Sequence, residues 1–254
     1  MKRIFLLLLI IFATIVTVVA QQDEEEEPIP PPRKSTGPKF GGAAGFTQNF
    51  LFLDMSPINQ ILSANNFAQF SGNGLFMMGG QGYGYVMLIP NLRIGGIGGS
   101  GTRVSTSLLG NTRRDVELSA GYGGVTVDYV FPVLPRFDIA TGVFIGAGGM
   151  SLTIRRDDGS AKVWATEWQQ LGSNDSIYNL TTKFSGSFFV VQPSVNFEVA
   201  ILRWLGIRVG VGYMGMFGNS WKVDDKYDFI GVPDNVSGKG WMINGGIFLG
   251  TFLY

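Results

Sequence analysis

Five charged residues stand where charge is expensive. Arg93, Asp128, Asp138, Glu198 and Arg208 fall on the weakly polar faces of runs otherwise rich in Val, Ile, Phe, Tyr and Gly. Antiparallel pairing across a three-residue turn sets Glu198 opposite Arg208. A four-residue loop at 109–112 sets Arg93 opposite Asp128, and Asp138 then falls near Asp128. Charges enclosed by a sheet must be paired, since an unpaired buried charge costs several kcal/mol. The set therefore reads as a luminal ion-pair plug, with a gate or a proton-conducting cluster as the functional alternative. A glycosidase-like acid and base would also need two carboxylates, but nothing places a sugar between these. The chain has neither histidine nor cysteine. The commonest general base, the commonest metal ligand, thiolate metal sites and disulfides are thereby excluded. No catalysis and no cofactor are expected.

Other motifs carry less. Gly96-Ile97-Gly98-Gly99-Ser100-Gly101 matches G-x-G-x-x-G, but the residues that follow, Thr102 to Ser107, are strand-like, and a phosphate cradle needs a helix there. Arg155-Arg156-Asp157-Asp158 and Lys222 to Lys226 are charged clusters at strand ends, placed to meet phosphates and bridging cations of surface glycolipids. Trp164, Trp168, Tyr178, Tyr227 and Phe229 put aromatics into two long connections and are the candidate loop contacts, since aromatics dominate interface energetics.

These residues need a scaffold, and the chain supplies eight β-like runs: 45–54, 74–88, 92–108, 114–131, 137–155, 180–201, 206–222 and 238–254. Short connections at Pro90-Asn91, 132–136 and 202–205 alternate with long ones at 55–73, 109–113, 156–179 and 223–237. Even strand number with long loops on one rim and tight turns on the other predicts an all-β fold, a closed antiparallel eight-stranded transmembrane barrel. A closed sheet is one of two backbone solutions in lipid, because no N–H or C=O is left unpaired. In 116–131 the apolar set changes phase at Gly123-Gly124, which reads as a bulge. The register of 238–254 is not legible. A short helix is expected in the first long loop, with Ser56 as N-cap, Pro57 first and an end by Asn65-Asn66; a weaker turn is expected at 161–171. Apolar faces are expected on lipid and the Gly, Ala and Ser faces in a narrow lumen, with Trp221 and Trp241 in one interfacial girdle and Tyr129, Phe131, Phe137, Trp204 and Tyr254 in the other.

The ends differ from the body. Lys2-Arg3, the apolar stretch Ile4 to Val19 and the exit Val18-Val19-Ala20 form a cleavable signal peptide over 1–20. Residues 21–44, acidic and then proline-rich, read as a disordered periplasmic arm. Net charge is zero, so no nucleic-acid footprint is expected.

With signal peptide, strand count, loop asymmetry and the terminal Phe252-Leu253-Tyr254 together, residues 45–254 resemble the small bacterial outer-membrane β-barrel proteins of the OmpA, OmpX and OmpW size class. The resemblance implies a cell outer membrane location in a Gram-negative bacterium and contact with outer-membrane lipid. It also implies that the barrel-insertion machinery reads Phe248, Phe252 and Tyr254, although Gly246 and Gly250 replace large apolar residues at the alternate positions. The expected function is structural or surface-binding, through an extracellular ligand of the long loops. The alternatives are a porin-like narrow channel for small apolar molecules and a secreted soluble barrel that binds a ligand in its lumen.

Overall fold

The computed structural model describes residues 41–251 except 73, 160–162, 165–168, 170–179, 233–235 and 237. The expected signal segment, the arm up to residue 40, most of 161–171, Trp168, Tyr178, Phe252 and Tyr254 lie outside the described residues. Among the elements whose bounds lie within the described residues, eight long strands and one helix follow in order: β1 Gly42–Leu51, α1 Ser56–Ala64, β2 Leu75–Tyr85, β3 Leu92–Leu109, β4 Thr112–Leu134, β5 Phe137–Asp157, β6 Leu180–Leu202, β7 Leu205–Val223 and β8 Gly240–Gly250. Each strand pairs antiparallel with its sequence neighbours, and β8 pairs with both β7 and β1, so the sheet returns to its start as a ring of eight. Tyr227–Asp228 adds a two-residue strand at the end of β7.

Several boundaries depart from expectation, among them the second connection, which is 86–91 and not Pro90-Asn91 alone. β1 begins at Gly42, so 42–44 belong to the wall and not to the arm; its glycines permit close strand approach, since a Cβ at Gly45 would lie 2.0 Å from the Ile247 carbonyl oxygen. The third connection is only Gly110-Asn111, with Gly110 at φ 60°, so strict alternation of long and short connections fails there. β3 and β4 run on together until a tight hairpin joins them. The helix is capped by Met55 rather than Ser56, while Asp54 Oδ1 accepts the Ser56 N–H at 3.0 Å.

The change of phase at Gly123-Gly124 is not a bulge. β4 pairs with β3 and β5 without a register shift there, so even-numbered residues face inward along its whole length. What changes is the chemistry of each face. From Phe131 up to Val125 the outward residues are apolar, and Asp128 and Thr126 face in; above Gly121 the outward residues are Ser119, Glu117, Asp115 and Arg113, and Tyr122, Ala120, Leu118 and Val116 face in. Val125 is 53% exposed and Leu118 0%. The same exchange occurs at the same level on β5, between Ala147 and Ser151, and on β6, between Phe189 and Ser187. An apolar exterior suits lipid and a polar one suits water. The stretch from Phe131 to Gly123 is nine residues, close to the roughly 9–11 that a tilted strand needs to cross a bilayer. A true bulge does lie on β7 at this level, where Phe217 and Ser220 flank Gly218 at φ 78° opposite Phe189 and Ser187.

The interior is therefore layered. At the short-turn rim lie the charges. Above them comes a neutral polar belt of Gln81, Thr47, Asn49, Thr126, Gln192 and Asn196, all buried. The upper half is an apolar core with Leu51, Met77, Leu118, Met150, Met214, Met216 and Met242, closed above by Ile58 and Leu62 of α1. Methionine fills such irregular space well.

Candidate functional site

Two sites emerge, one at each end. The lower is the charge cluster. β3 and β4 place Arg93 opposite Asp128, and β6 and β7 place Glu198 opposite Arg208, both as expected. Arg93, with a side chain 0% exposed, donates from Nε to Asp128 Oδ2 at 3.2 Å and from Nη1 to Glu198 Oε2 at 2.8 Å, with a second, short bond from Nη2 to Glu198 Oε1. Arg208 Nε lies 2.8 Å from Glu198 Oε1, an ion pair whose angle falls short of a hydrogen bond. Asp138 is not beside Asp128; its register partners are Pro132 and Glu198, because the turn at 135–136 is tighter than assumed and carries a register shift at 132–134. The guanidiniums also rest on rings, Arg93 at 4.2 Å and Arg208 at 4.9 Å from the centre of Tyr83, and Arg208 at 4.4 Å from Phe248. Cation–π contact of this kind is favourable where water is displaced. Phe248, expected to serve the insertion signal, is thus turned inward beside this cluster. Two guanidiniums and two carboxylates are gathered in contact at this end of the lumen.

The upper site is an apolar cavity of about 500 Å³ between α1 and the inner wall. Ile58, Ile61, Leu62 and Phe67 line it from the first loop, Leu118, Met150, Leu152, Ile154 and Phe184 from the wall, and Trp221, Phe229 and Val236 from the β7–β8 side. Side chains of the upper wall hold its roof. Asn59 grips Phe70 through both backbone groups, at 3.1 and 2.8 Å, Arg103 donates to the Gly74 carbonyl at 2.6 Å, and Ser105 donates to the Gln69 carbonyl at 2.9 Å. On the opposite side, Asp225 accepts from Lys183 Nζ at 2.8 Å and Ser185 Oγ at 2.6 Å, which holds its carboxyl below the usual range.

Of the aromatic residues singled out in the long connections, Phe229 belongs to this cavity and packs on Phe184 at 4.9 Å between ring centres. Tyr227 and Trp164 are exposed. Trp221 is buried in the cavity wall and not in a girdle. Sequence reasoning missed Leu118, Leu152 and Ile154 as cavity residues. The signal for them was the phase change itself: apolar residues above Gly123 share the inward face with Asp128 below it.

No family model matches the chain, and no curated protein matches it. Among solved structures it is similar to Ail, the attachment invasion locus protein of Yersinia pestis, in complex with the heparin analogue sucrose octasulfate, at 9% identity over 84% of this chain and 99% of that one, with a TM-score of 0.43. It is also similar to the outer membrane protein OprG from Pseudomonas aeruginosa, at 10% identity over 85% and 99% with a TM-score of 0.43. A major outer membrane protein from Thermus thermophilus matches at 11% identity over 83% and 99%, with a TM-score of 0.42.

Proposed function

We propose that this protein is an integral outer-membrane barrel with a surface-binding role, sealed along its axis and without catalysis. The observation that carries the reading is the exchange of apolar and polar faces at one level on three adjacent strands. Below that level Val125, Val127, Tyr129, Ile145, Phe189, Val195, Val209 and Ile247 form a continuous exposed apolar band, far larger than a water-soluble surface tolerates. Above it the wall rises into water with its own apolar core, as a soluble sheet would. The long connections and cavity then face the exterior, and the chain ends and short turns face the periplasm. Outward Arg113, Arg155 and Lys183 stand well above the band on the water-facing wall, at the height of surface glycolipid head groups, and the barrel-insertion machinery assembles the sheet.

A second reading, a narrow channel for small apolar molecules, is favoured by the apolar cavity. Against it stand the Arg93–Glu198–Arg208 plug below and the packed methionines between. Membrane fractionation with heat-modifiable gel mobility tests the location, and single-channel recording in planar bilayers tests the seal. Recovery as a monodisperse soluble protein without detergent would overturn the first. Steady conductance from the folded wild-type chain would overturn the second and favour the channel.

A further inference from the structure

The inner wall of the cavity ends in two like charges. On the inward faces of β4 and β5, register partners stack upward as Ala120–Met150, Leu118–Leu152, Val116–Ile154 and then Arg114–Arg156. Like charges directly opposite on an antiparallel pair repel, and the two are treated differently from their neighbours. The outward Arg113 and Arg155 are both paired, with Asp115 at 3.0 Å and Glu117 at 3.6 Å. Arg114 instead donates Nη1 weakly to the Asn65 and Asn66 carbonyls at 3.3 and 3.4 Å and lies 5.3 Å over Phe67, while its Nε is buried without a partner. Arg156 is exposed, and no ion pair among the described residues engages it. Asn65 and Phe67, which Arg114 touches, themselves line the cavity.

An apolar chamber whose mouth carries two guanidiniums outside every ion pair among the described residues is complementary to an amphiphile with one negative head. We propose that the cavity binds a single-chain anionic amphiphile, a medium-chain carboxylate, with its head on Arg114 and Arg156 and its tail along Ile154, Leu152 and Met150. This rests on the surface-binding reading and names its ligand class. The six residue steps from Arg156 down to Met150 span about 20 Å of strand, enough for a tail of roughly ten to fourteen carbons. The ligand arrives from water and not from the bilayer. Arg114 stands seven residues above Gly121, where the faces exchange, and even a strand tilted by about 45° lifts the guanidiniums roughly 16 Å clear of the apolar band. Guanidinium binds carboxylate through short, charge-assisted bonds, so the head decides affinity and the tail decides position.

The test uses the full-length folded chain in lipid nanodiscs and two probes, 11-bromoundecanoate and its uncharged analogue 11-bromoundecanol. Bromine quenches indole on contact, and Trp221 lines the cavity; subtracting a Trp221→Phe variant isolates its signal from the bilayer-facing tryptophans. The acid should quench Trp221 saturably, about tenfold more tightly than the alcohol, and Arg114→Gln with Arg156→Gln should abolish that difference. Arg156→Gln alone, at an exposed side chain, gives a partial loss should the double variant fail the heat-modifiability check. Equal binding of acid and alcohol, unchanged by either variant, would overturn the anionic head while leaving an apolar site. No Trp221 quenching by either probe would overturn the site altogether, whatever the fractionation and conductance results. Displacement of the bromo-acid by a two-chain anionic phospholipid but not by laurate would overturn the single-chain, water-borne source.

Discussion

Glu198→Gln keeps the shape of the plug and removes its central charge. Among the described residues Glu198 is the one carboxylate that meets both guanidiniums, accepting from Arg93 Nη1 at 2.8 Å and lying 2.8 Å from Arg208 Nε, and its side chain is only 12% exposed. Arg93 would keep Asp128 at 3.2 Å, whereas Arg208 would lose its ion-pair partner, retaining Tyr83 and Phe248 as ring contacts. Breaking a buried pair from one side costs about 3–5 kcal/mol, chiefly through the charge left behind. The retained Asp128 and ring contacts place the expectation toward the low end, about 3 kcal/mol. Urea unfolding of the barrel refolded into lipid vesicles, followed by tryptophan fluorescence, reads this directly. Adding Arg208→Met should recover about half of the loss, because the stranded charge goes with it, and the double-mutant cycle should therefore be strongly non-additive. A Glu198→Gln cost below about 1 kcal/mol, or simple additivity with Arg208→Met, would refute the plug as an energetically coupled unit.

Four further outcomes follow from the same geometry. Val127→Arg, within the apolar band, should cost about 2–4 kcal/mol, while Ser119→Arg on the same outward face above the exchange level should stay within about 0.5 kcal/mol, both by vesicle unfolding. Gly45→Ala drives a Cβ to 2.0 Å from the Ile247 carbonyl oxygen, whereas Gly84→Ala meets nothing within 4 Å; the first should lose about 1–3 kcal/mol and the second should be neutral by the same measurement. The depressed Asp225 carboxyl adds stability to the β7–β8 corner that is present at neutral pH and lost as pH falls through its ordinary 3.8 and below; Trp221 emission should shift across that window, and Asp225→Asn should remove the transition. Protease shaving of intact cells should cut within 156–179 or 223–237 and spare Asp23 to Lys39; cleavage of the arm with those loops untouched would reverse the topology.

Strand positions were legible because alternation and connection length are local, so the eight runs and the Arg93–Asp128 and Glu198–Arg208 pairs follow from counting across turns. Asp138 was misplaced because one tight turn with a register shift moves every later partner along the ladder. The arm boundary erred for a related reason: Gly42, Ala43 and Ala44 look like linker, yet small residues are what a closely packed barrel seam requires.

The cavity was hidden by a rule rather than by a missing signal. Periodicity of two reports which residues share a face, never which side of the wall that face is on. A single solvent assumption along each strand then turns a change of surroundings into an apparent insertion, and Gly123-Gly124 reads as a bulge. Two observations could have separated them from sequence alone. A bulge displaces one strand, whereas leaving the membrane alters neighbouring strands at one height: 116–122, 150–154 and 184–190 each set apolar residues on the phase that carries Asp128, Gly142 and Ser194 lower down. And the runs 114–131, 137–155 and 180–201, of 18, 19 and 22 residues, already approach or reach twice what a bilayer accommodates, so their upper halves must stand in water. A wall in water buries its apolar side inward, and only there can an arginine pair such as Arg114–Arg156 crown an apolar chamber without entering lipid.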